Sequence, residues 1–486
     1  MKIFLVDPPF EIQDSASGNP SLKWVLNVVP SMGLGYLAAV AERAGHEVRV
    51  VDGTLGLSDR ELDRLVSDFS PDVVGFTSTT PAFRGARRLA KRVRELFPGR
   101  LIVLGGAHVS ALPEEALASG CFDVGVVGEG EHTFSELLES YGRDRDFDRR
   151  KIRGIVYRED GVVKRTSPRP LMDDLDDLPF PARHLFPPLS KYSPTPASYR
   201  RLPVGIVMTS RGCPSRCAFC DRSVFGETYR RRSPENVVAE VEALLRDFGA
   251  REIRFFDDTF TLSPHWIRRF ISLLKERRLQ FPWTCLSKVR GVSRELFEGM
   301  KEGGCWQVLF GLESGDPEML RLLGKGNTVE DNGAAVRAAH EAGLSVRGDF
   351  VIGAPGDSLE KMERTFRHAV DLKLEYAHFN KFVPYPGTEL FRQMRAAGKP
   401  VDFDAGSSSI LDHDAIFHVP AGLDRESYRK WLNGVYGRYY LRPSYLFRRA
   451  VALRSWDEFL GQVRGGVSIL GLGVSRKMRS ASLGNR

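Results

Sequence analysis

Three cysteines stand close together in Cys213-Pro-Ser-Arg-Cys217-Ala-Phe-Cys220, directly after the apolar run Val204 to Met208 and the turn at Arg211-Gly212. The chain has 486 residues and six cysteines; Cys121, Cys285 and Cys305 are scattered, so the clustering is no by-product of cysteine richness. Disulfide frameworks belong to short, cysteine-dense secreted chains. A structural zinc site takes four protein ligands, and no second CxxC or HxxxH partner lies nearby. Three thiolates suit an iron–sulfur cubane in which one iron has no protein ligand and stays open to a small molecule, whereas ferredoxin-type carriers add a fourth cysteine.

The elements that position such a centre are legible around it. Residues 1 to 145 alternate apolar runs (Ile3 to Val6, Glu47 to Val51, Val73 to Phe76, Leu101 to Leu104, Val124 to Val127) with helical patterns, which predicts a Rossmann-like, doubly wound parallel sheet. Ligands of such sheets sit at the carboxyl ends of the strands. Those ends carry Pro8, Thr77-Ser78-Thr79, Gly105-Gly106 with His108, and Gly128-Glu129-Gly130. No GxGxxG follows the first strand, which argues against a dinucleotide. Residues 146–198 read as a hairpin turning at Asp160-Gly161 and an acidic, proline-rich linker.

Strand–helix alternation resumes over residues 199–415. Ser233 caps a helix whose apolar face is Val237, Val238, Val241, Leu244, Leu245 and Phe248, ended by Gly249. Strands are expected at Gly205 to Met208, Ile253 to Phe256, Trp283 to Leu286, Val308 to Leu312, Val346 to Ile352 and Ala377 to Phe382. Together they predict a partial (β/α)6 barrel of the TIM type with its site at the strand carboxyl ends. Residues 416–486 form a helical, basic and aromatic carboxyl end, in which Tyr428, Trp431, Tyr436, Tyr439, Tyr440, Tyr445, Phe447 and Trp456 alternate with arginines. Helical spacing makes most of these a packing face; the functional alternative is a cap touching an apolar substrate or a membrane surface.

The spacing CxxxCxxC, with Phe219 before the last cysteine, resembles the signature of the radical S-adenosylmethionine (SAM) enzymes. That resemblance implies a [4Fe-4S] cluster on Cys213, Cys217 and Cys220, with SAM chelating the open iron. It places Asp258, and next to it Asp257, at the SAM ammonium, and Glu313 with Ser314 at the ribose. Arg347 falls against the SAM carboxylate or in a pair with Asp349, and Phe219, Ile352 and Pro384 fall around adenine. The stretches Leu104-Gly-Gly-Ala-His-Val-Ser-Ala-Leu-Pro-Glu-Glu and Val127-Gly-Glu-Gly-Glu resemble the cobalamin-binding domain of one branch of that family. The implied cobalamin contacts are Pro8, Thr77, Ser78, Thr79, Gly105, Gly106, His108, Gly128, Glu129 and Gly130. DxHxxG is absent, so cobalt is expected to lack a histidine beneath it, with His108 a hydrogen-bonding loop residue.

The resemblance implies reductive cleavage of SAM to a 5′-deoxyadenosyl radical and, in the cobalamin branch, methylation of an unactivated carbon of a small-molecule or lipid-like substrate. The alternatives are a cyclase or oxidase of the anaerobic magnesium-protoporphyrin ester cyclase type, or a cobalamin-binding sensor. A flavodoxin or ferredoxin is the expected electron donor. The net charge is +8 and 27% of residues are charged, but no second cysteine set or RNA-binding module accompanies them, so nucleic acid is not expected. Without a signal peptide or membrane span, the expected location is the cytoplasm.

Overall fold

The computed structural model describes residues 1–10, 27–399, 401–403, 409–410 and 412–452. Trp456, the glycine-rich stretch after Gly465 and the end beyond Arg476 lie outside the described residues.

The first sheet has strands β1 (Lys2–Asp7), β2 (Glu47–Asp52), β3 (Val73–Thr77), β4 (Leu101–Gly105), β5 (Val124–Val126), β6 (Ile155–Glu159) and β7 (Val162–Arg165), in the order β2-β1-β3-β4-β5-β6-β7. The first five are parallel. Their apolar runs divide by period two: Ile3 and Leu5 join one core with the helices Met32–Arg43 and Glu131–Arg143, while Phe4 and Val6 join another with Asp59–Phe69 and Phe83–Leu96. Burial on both faces explains why these strands read as unbroken apolar runs. Strand order reverses between β1 and β3, so Asp7-Pro8 and Thr77-Ser78 diverge from adjacent strands and leave a crevice between them.

The hairpin placed with the linker adds β6 and β7 to this same sheet, β6 running antiparallel to β5. The acidic stretch behind it is also packed: Met172, Leu175 and Leu178 bury against Tyr36 and Val40 of the helix Met32–Arg43.

The second sheet has β8 (Val204–Val207), β11 (Glu252–Phe255), β12 (Trp283–Ser287), β13 (Cys305–Glu313), β14 (Ser345–Ile352) and β15 (Tyr376–Lys381), all parallel and in the order β15-β14-β13-β12-β11-β8. A short antiparallel pair, β9 (Ser210–Arg211) with β10 (Arg230–Arg231), closes the base of the cysteine loop. Val346, Phe350 and Ile352 point into the large core beneath the surrounding helices, so Arg347, Asp349 and Val351 face the barrel interior. The helix Pro234–Asp247 begins as expected, the Ser233 hydroxyl accepting from the Asn236 amide at 3.1 Å. At the amino end of the interior, Glu252 is fully buried and accepts from the amides of Arg200 and Arg201 and the Trp306 indole; burial pushes its pKa up to about 7.

The sheet is open, and a terminal helix, Arg425–Tyr440, lies along its β15 edge. The Tyr440 hydroxyl accepts the Ala377 amide and donates to its carbonyl, and Tyr436 does the same at Phe379. Tyr428 donates to the Ile352 carbonyl at 2.9 Å. These tyrosines are the packing face expected from their spacing. No helix among the described residues is long and apolar enough to cross a membrane.

Candidate active site

The cysteine loop is held from both sides through its backbone. The Ala218 amide donates to the Leu323 carbonyl and the Ala218 carbonyl accepts from the Leu390 amide, each at 2.9 Å. Phe219 packs with Ala218 against Met319, Leu323, Phe382, Leu390 and Met394, which fixes the last turn before Cys220. Cys217 is buried, Cys213 half-buried and Cys220 exposed, and all three are free thiols. Burial, then the negative charge of Asp258 and of the other two thiols, pushes Cys220 up to about 12. Burial likewise raises Cys217. Among the described residues no His, Cys, Asp or Glu side chains converge on a point as they would around one metal ion. Three cysteines in one loop are the donor set of a cluster in which each thiolate would bind a different iron. Metal uptake would release the protons held on Cys217 and Cys220.

The two aspartates after β11 divide the work. Asp257 is buried, and one of its carboxylate oxygens accepts four hydrogen bonds, from the amides and hydroxyls of Thr209 and Ser210. It ties the end of β8 to the end of β11. Asp258 is exposed beside Cys220, and burial of its carboxylate group followed by the Asp257 charge raises its pKa. Of the pair, Asp258 is the one left exposed.

Glu313 ends β13 with φ of 62° and is buried, its carboxylate receiving the Lys325 ammonium at 2.7 Å. Ser314, expected at the ribose, is turned away: its hydroxyl pairs with Thr365 at 2.8 Å and accepts from the Asp316 amide. Arg347 is paired bidentately with Asp349, at 3.0 and 3.1 Å, and reaches Ser198 at 3.3 Å. It is level with Leu309 whereas Glu313 is level with Phe350, so Arg347 lies about 10 Å below the sheet end. Of its two expected roles, the structure shows the pair with Asp349. Ile352 is also corrected. Its side chain is in the helix-side core and its carbonyl is taken by Phe382 and Tyr428, so Val351, which packs by Phe219, is the interior neighbour of the site. Pro384 is buried in the loop after β15.

At the first sheet, Pro8, Thr77, Thr79, Gly105, Gly106 and Gly128 form a floor of small residues around the crevice. Gly106 has φ of 99°, and a β-carbon there would meet the Ser78 carbonyl at 2.7 Å, so this turn accepts glycine alone. Ser78 is buried, its amide donating to the Gly105 carbonyl and its carbonyl accepting from the His108 amide. The His108 imidazole stacks on Phe83 at 3.8 Å and bonds Thr80 at 3.3 Å. It is therefore a loop-holding residue. Glycines at 105, 106 and 128 leave the backbone of these turns open to a cofactor, while the imidazole is engaged within its own loop.

Glu129 departs from the expectation. Its carboxylate accepts from Arg211 at 3.1 Å, from Arg230 at 2.8 Å and from the Met172 amide at 2.9 Å, while Glu131 takes the other arm of Arg211 at 2.5 Å. All four charged side chains are buried. Gly130 precedes the helix Glu131–Arg143 and serves the same turn. Residues expected at the cofactor thus clamp the first sheet to the strand pair beneath the cysteine loop. Their arginine partners lie about a hundred residues away in sequence, which no local pattern signals. Lys325 was also missed, although a lysine between two glycines, Gly324 and Gly326, was a visible cue.

Residues 207–369 match the Radical SAM superfamily and residues 23–138 the B12 binding domain. An uncharacterised methyltransferase of Pyrococcus horikoshii is 36% identical over 453 residues, 92% of this chain and 94% of that protein. Cytidylyl-2-hydroxyethylphosphonate methyltransferase of Streptomyces wedmorensis is 30% identical over 81% of this chain and 83% of its own length. Among solved structures, the radical SAM methyltransferase TsrM of Kitasatospora setae, with cobalamin and a [4Fe-4S] cluster bound, superposes with a TM-score of 0.66 at 20% identity, covering 82% of this chain and 78% of that one.

Proposed function

We propose that this chain, which belongs to the cobalamin-binding radical SAM enzymes, methylates an unactivated carbon of a small-molecule substrate. The family's cofactors are its cofactors: a [4Fe-4S] cluster, SAM and cobalamin. When bound, the cluster supplies the electron that cleaves the SAM carbon–sulfur bond and cobalamin supplies a cobalt-borne methyl group. The observation that carries the reading is the clamp. Through Glu129 and Glu131, Arg211 fastens the loop after β5 at a point two residues before Cys213, so the small-residue floor and the cysteine loop share one buried joint.

In this reading the three thiolates hold three irons and leave the fourth for SAM. Asp258 takes the SAM ammonium, a charge-assisted pair, and Asp257 fixes its loop. Glu313 accepts the two ribose hydroxyls. Phe219, Val351 and Pro384 give the adenine its apolar border. The relative from Streptomyces carries its substrate's name, a cytidylyl phosphonate, and supports a small-molecule substrate class. A flavodoxin or ferredoxin supplies the electron, and contact with a membrane surface falls on the helix Pro443–Ala452, where Leu446 and Phe447 are exposed beside Arg448 and Arg449.

The test uses anaerobically reconstituted protein with methyl-deuterated SAM, a reductant and cell extract as the source of substrate. A new product carrying the labelled methyl group, formed together with 5′-deoxyadenosine, is expected. Formation of 5′-deoxyadenosine with an unlabelled product would replace methylation by a cyclase or oxidase reaction.

A further inference from the structure

Lys325 lies in the turn Gly324-Lys325-Gly326, directly after the residue whose carbonyl holds the cysteine loop. Its ammonium reaches Glu313 at 2.7 Å, and its side chain is largely covered. Gly311 leaves the space for this pair, since a β-carbon there would collide with both the Glu313 carboxylate and the Lys325 ammonium. The same ammonium acts electrostatically on Cys217 and Cys220, lowering what burial raises. The turn itself lies against the cysteine loop, since a β-carbon on Gly324 would meet the Arg216 carbonyl at 2.9 Å, so this ammonium is held beside both the Glu313 carboxylate and the loop that carries the sulfurs.

We propose that Lys325 is a positioning residue that stabilises the reduced form of the cluster bound by Cys213, Cys217 and Cys220. The inference rests on the radical SAM reading of the site. Reduction adds one electron, taken from a low-potential external donor, to a centre already surrounded by thiolate charge. Potentials of such centres follow the net charge and hydrogen bonding around their sulfurs. A fixed ammonium in a poorly solvated position favours the added electron, and Glu313 opposes it while keeping the lysine in place. Ribose hydroxyls are neutral, so SAM binding at Glu313 leaves this charge arrangement intact.

The two ends of the pair predict opposite shifts. In reconstituted holoenzyme titrated with dithionite and followed by electron paramagnetic resonance, Lys325→Met moves the cluster midpoint to more negative potential. Lys325→Arg keeps it near the wild-type value, and Glu313→Gln moves it positive. A wild-type midpoint in Lys325→Met with full iron and sulfide content overturns the proposal, as do shifts of the same sign in Lys325→Met and Glu313→Gln. Should Lys325→Met fail to take up iron, the positive shift in Glu313→Gln carries the test and its absence overturns the proposal. The midpoint is read on the cluster before any methyl transfer, so the result stands apart from whether methylation is the reaction.

Discussion

At the carboxyl ends of β1, β3 and β4 the chain offers Pro8, Thr77, Ser78, Gly105 and Gly106, whereas beyond β8, β11 and β13 it offers three cysteines, Asp258 and Glu313. The first sheet presents shape and the second presents charge. The first five strands of one sheet and all six of the other run parallel with helices packed against them, and both candidate sites lie at the strand carboxyl ends. Around the first crevice Gly105, Gly106 and Gly128 carry no β-carbon, which leaves room beside Pro8 and Thr77. A small, charged cosubstrate is matched by fixed carboxylates at the end of a buried sheet. The first kind of site spends its polar groups on its own loops, as His108 and Ser78 do. The second leaves Asp258 exposed and assigns the supporting bonds to its neighbour Asp257.

The strongest way to break this contrast is at the cysteines. Cys217→Ala should abolish the cluster and lower 5′-deoxyadenosine formation about a thousandfold or more, while cobalamin absorbance is retained. Loss of both cofactors together would mean that the two sites are not separable. Next comes the aspartate pair. Asp258→Asn removes a charge-assisted contact and should raise the KM for SAM about 10- to 100-fold with little change in Tm. Asp257→Asn should instead lower Tm by several degrees, because it disrupts four hydrogen bonds that join β8 to β11. Equal kinetic effects from the two would erase the division between them.

On the shape side, Gly106→Val forces a side chain onto the Ser78 backbone and should weaken cobalamin binding about tenfold without touching the cluster. Glu129→Gln should destabilise the fold, since two buried arginines lose a carboxylate, yet leave cobalamin affinity within about twofold. If Glu129→Gln instead weakened cobalamin as strongly as Gly106→Val, Glu129 would return to the cofactor face where its sequence placed it.

The smallest effect concerns Glu252. Burial pushes its folded pKa up to about 7 from the ordinary carboxylate value of 4.5, so the native state binds the proton more tightly. The stability this contributes is complete below pH 4.5 and is lost as pH rises toward 7. Glu252→Gln should flatten the dependence of Tm on pH across that window, a change of a few degrees. An unchanged slope would show that the carboxylate is solvated in solution.

These differences also explain what could be read in advance. Cysteine spacing, the Ser233 cap and the strand runs follow from local chemistry, and each appears where it was expected. Depth along a strand does not. Arg347 reads as a strand-end cation, but it is paired with Leu309 in the register, three residues below the level of Glu313, and the pairing of β13 with β14 is not written in either strand alone. The facing of Ile352 was within reach, because Arg347 and Asp349 mark the interior phase and Val351 continues it. Glu129 was beyond reach. Its glycine-flanked loop resembles a ligand loop, and only the fold brings Arg211 and Arg230 to it.

The tyrosine row along β15 bears on how the protein is made. Ala377 and Phe379 wait for hydroxyls that follow 63 and 57 residues later in the chain. Until the helix Arg425–Tyr440 is synthesised and docks, the emerging barrel carries a bare strand edge able to template pairing with another chain. A chain interrupted before Arg425 would therefore expose this edge and be prone to self-association.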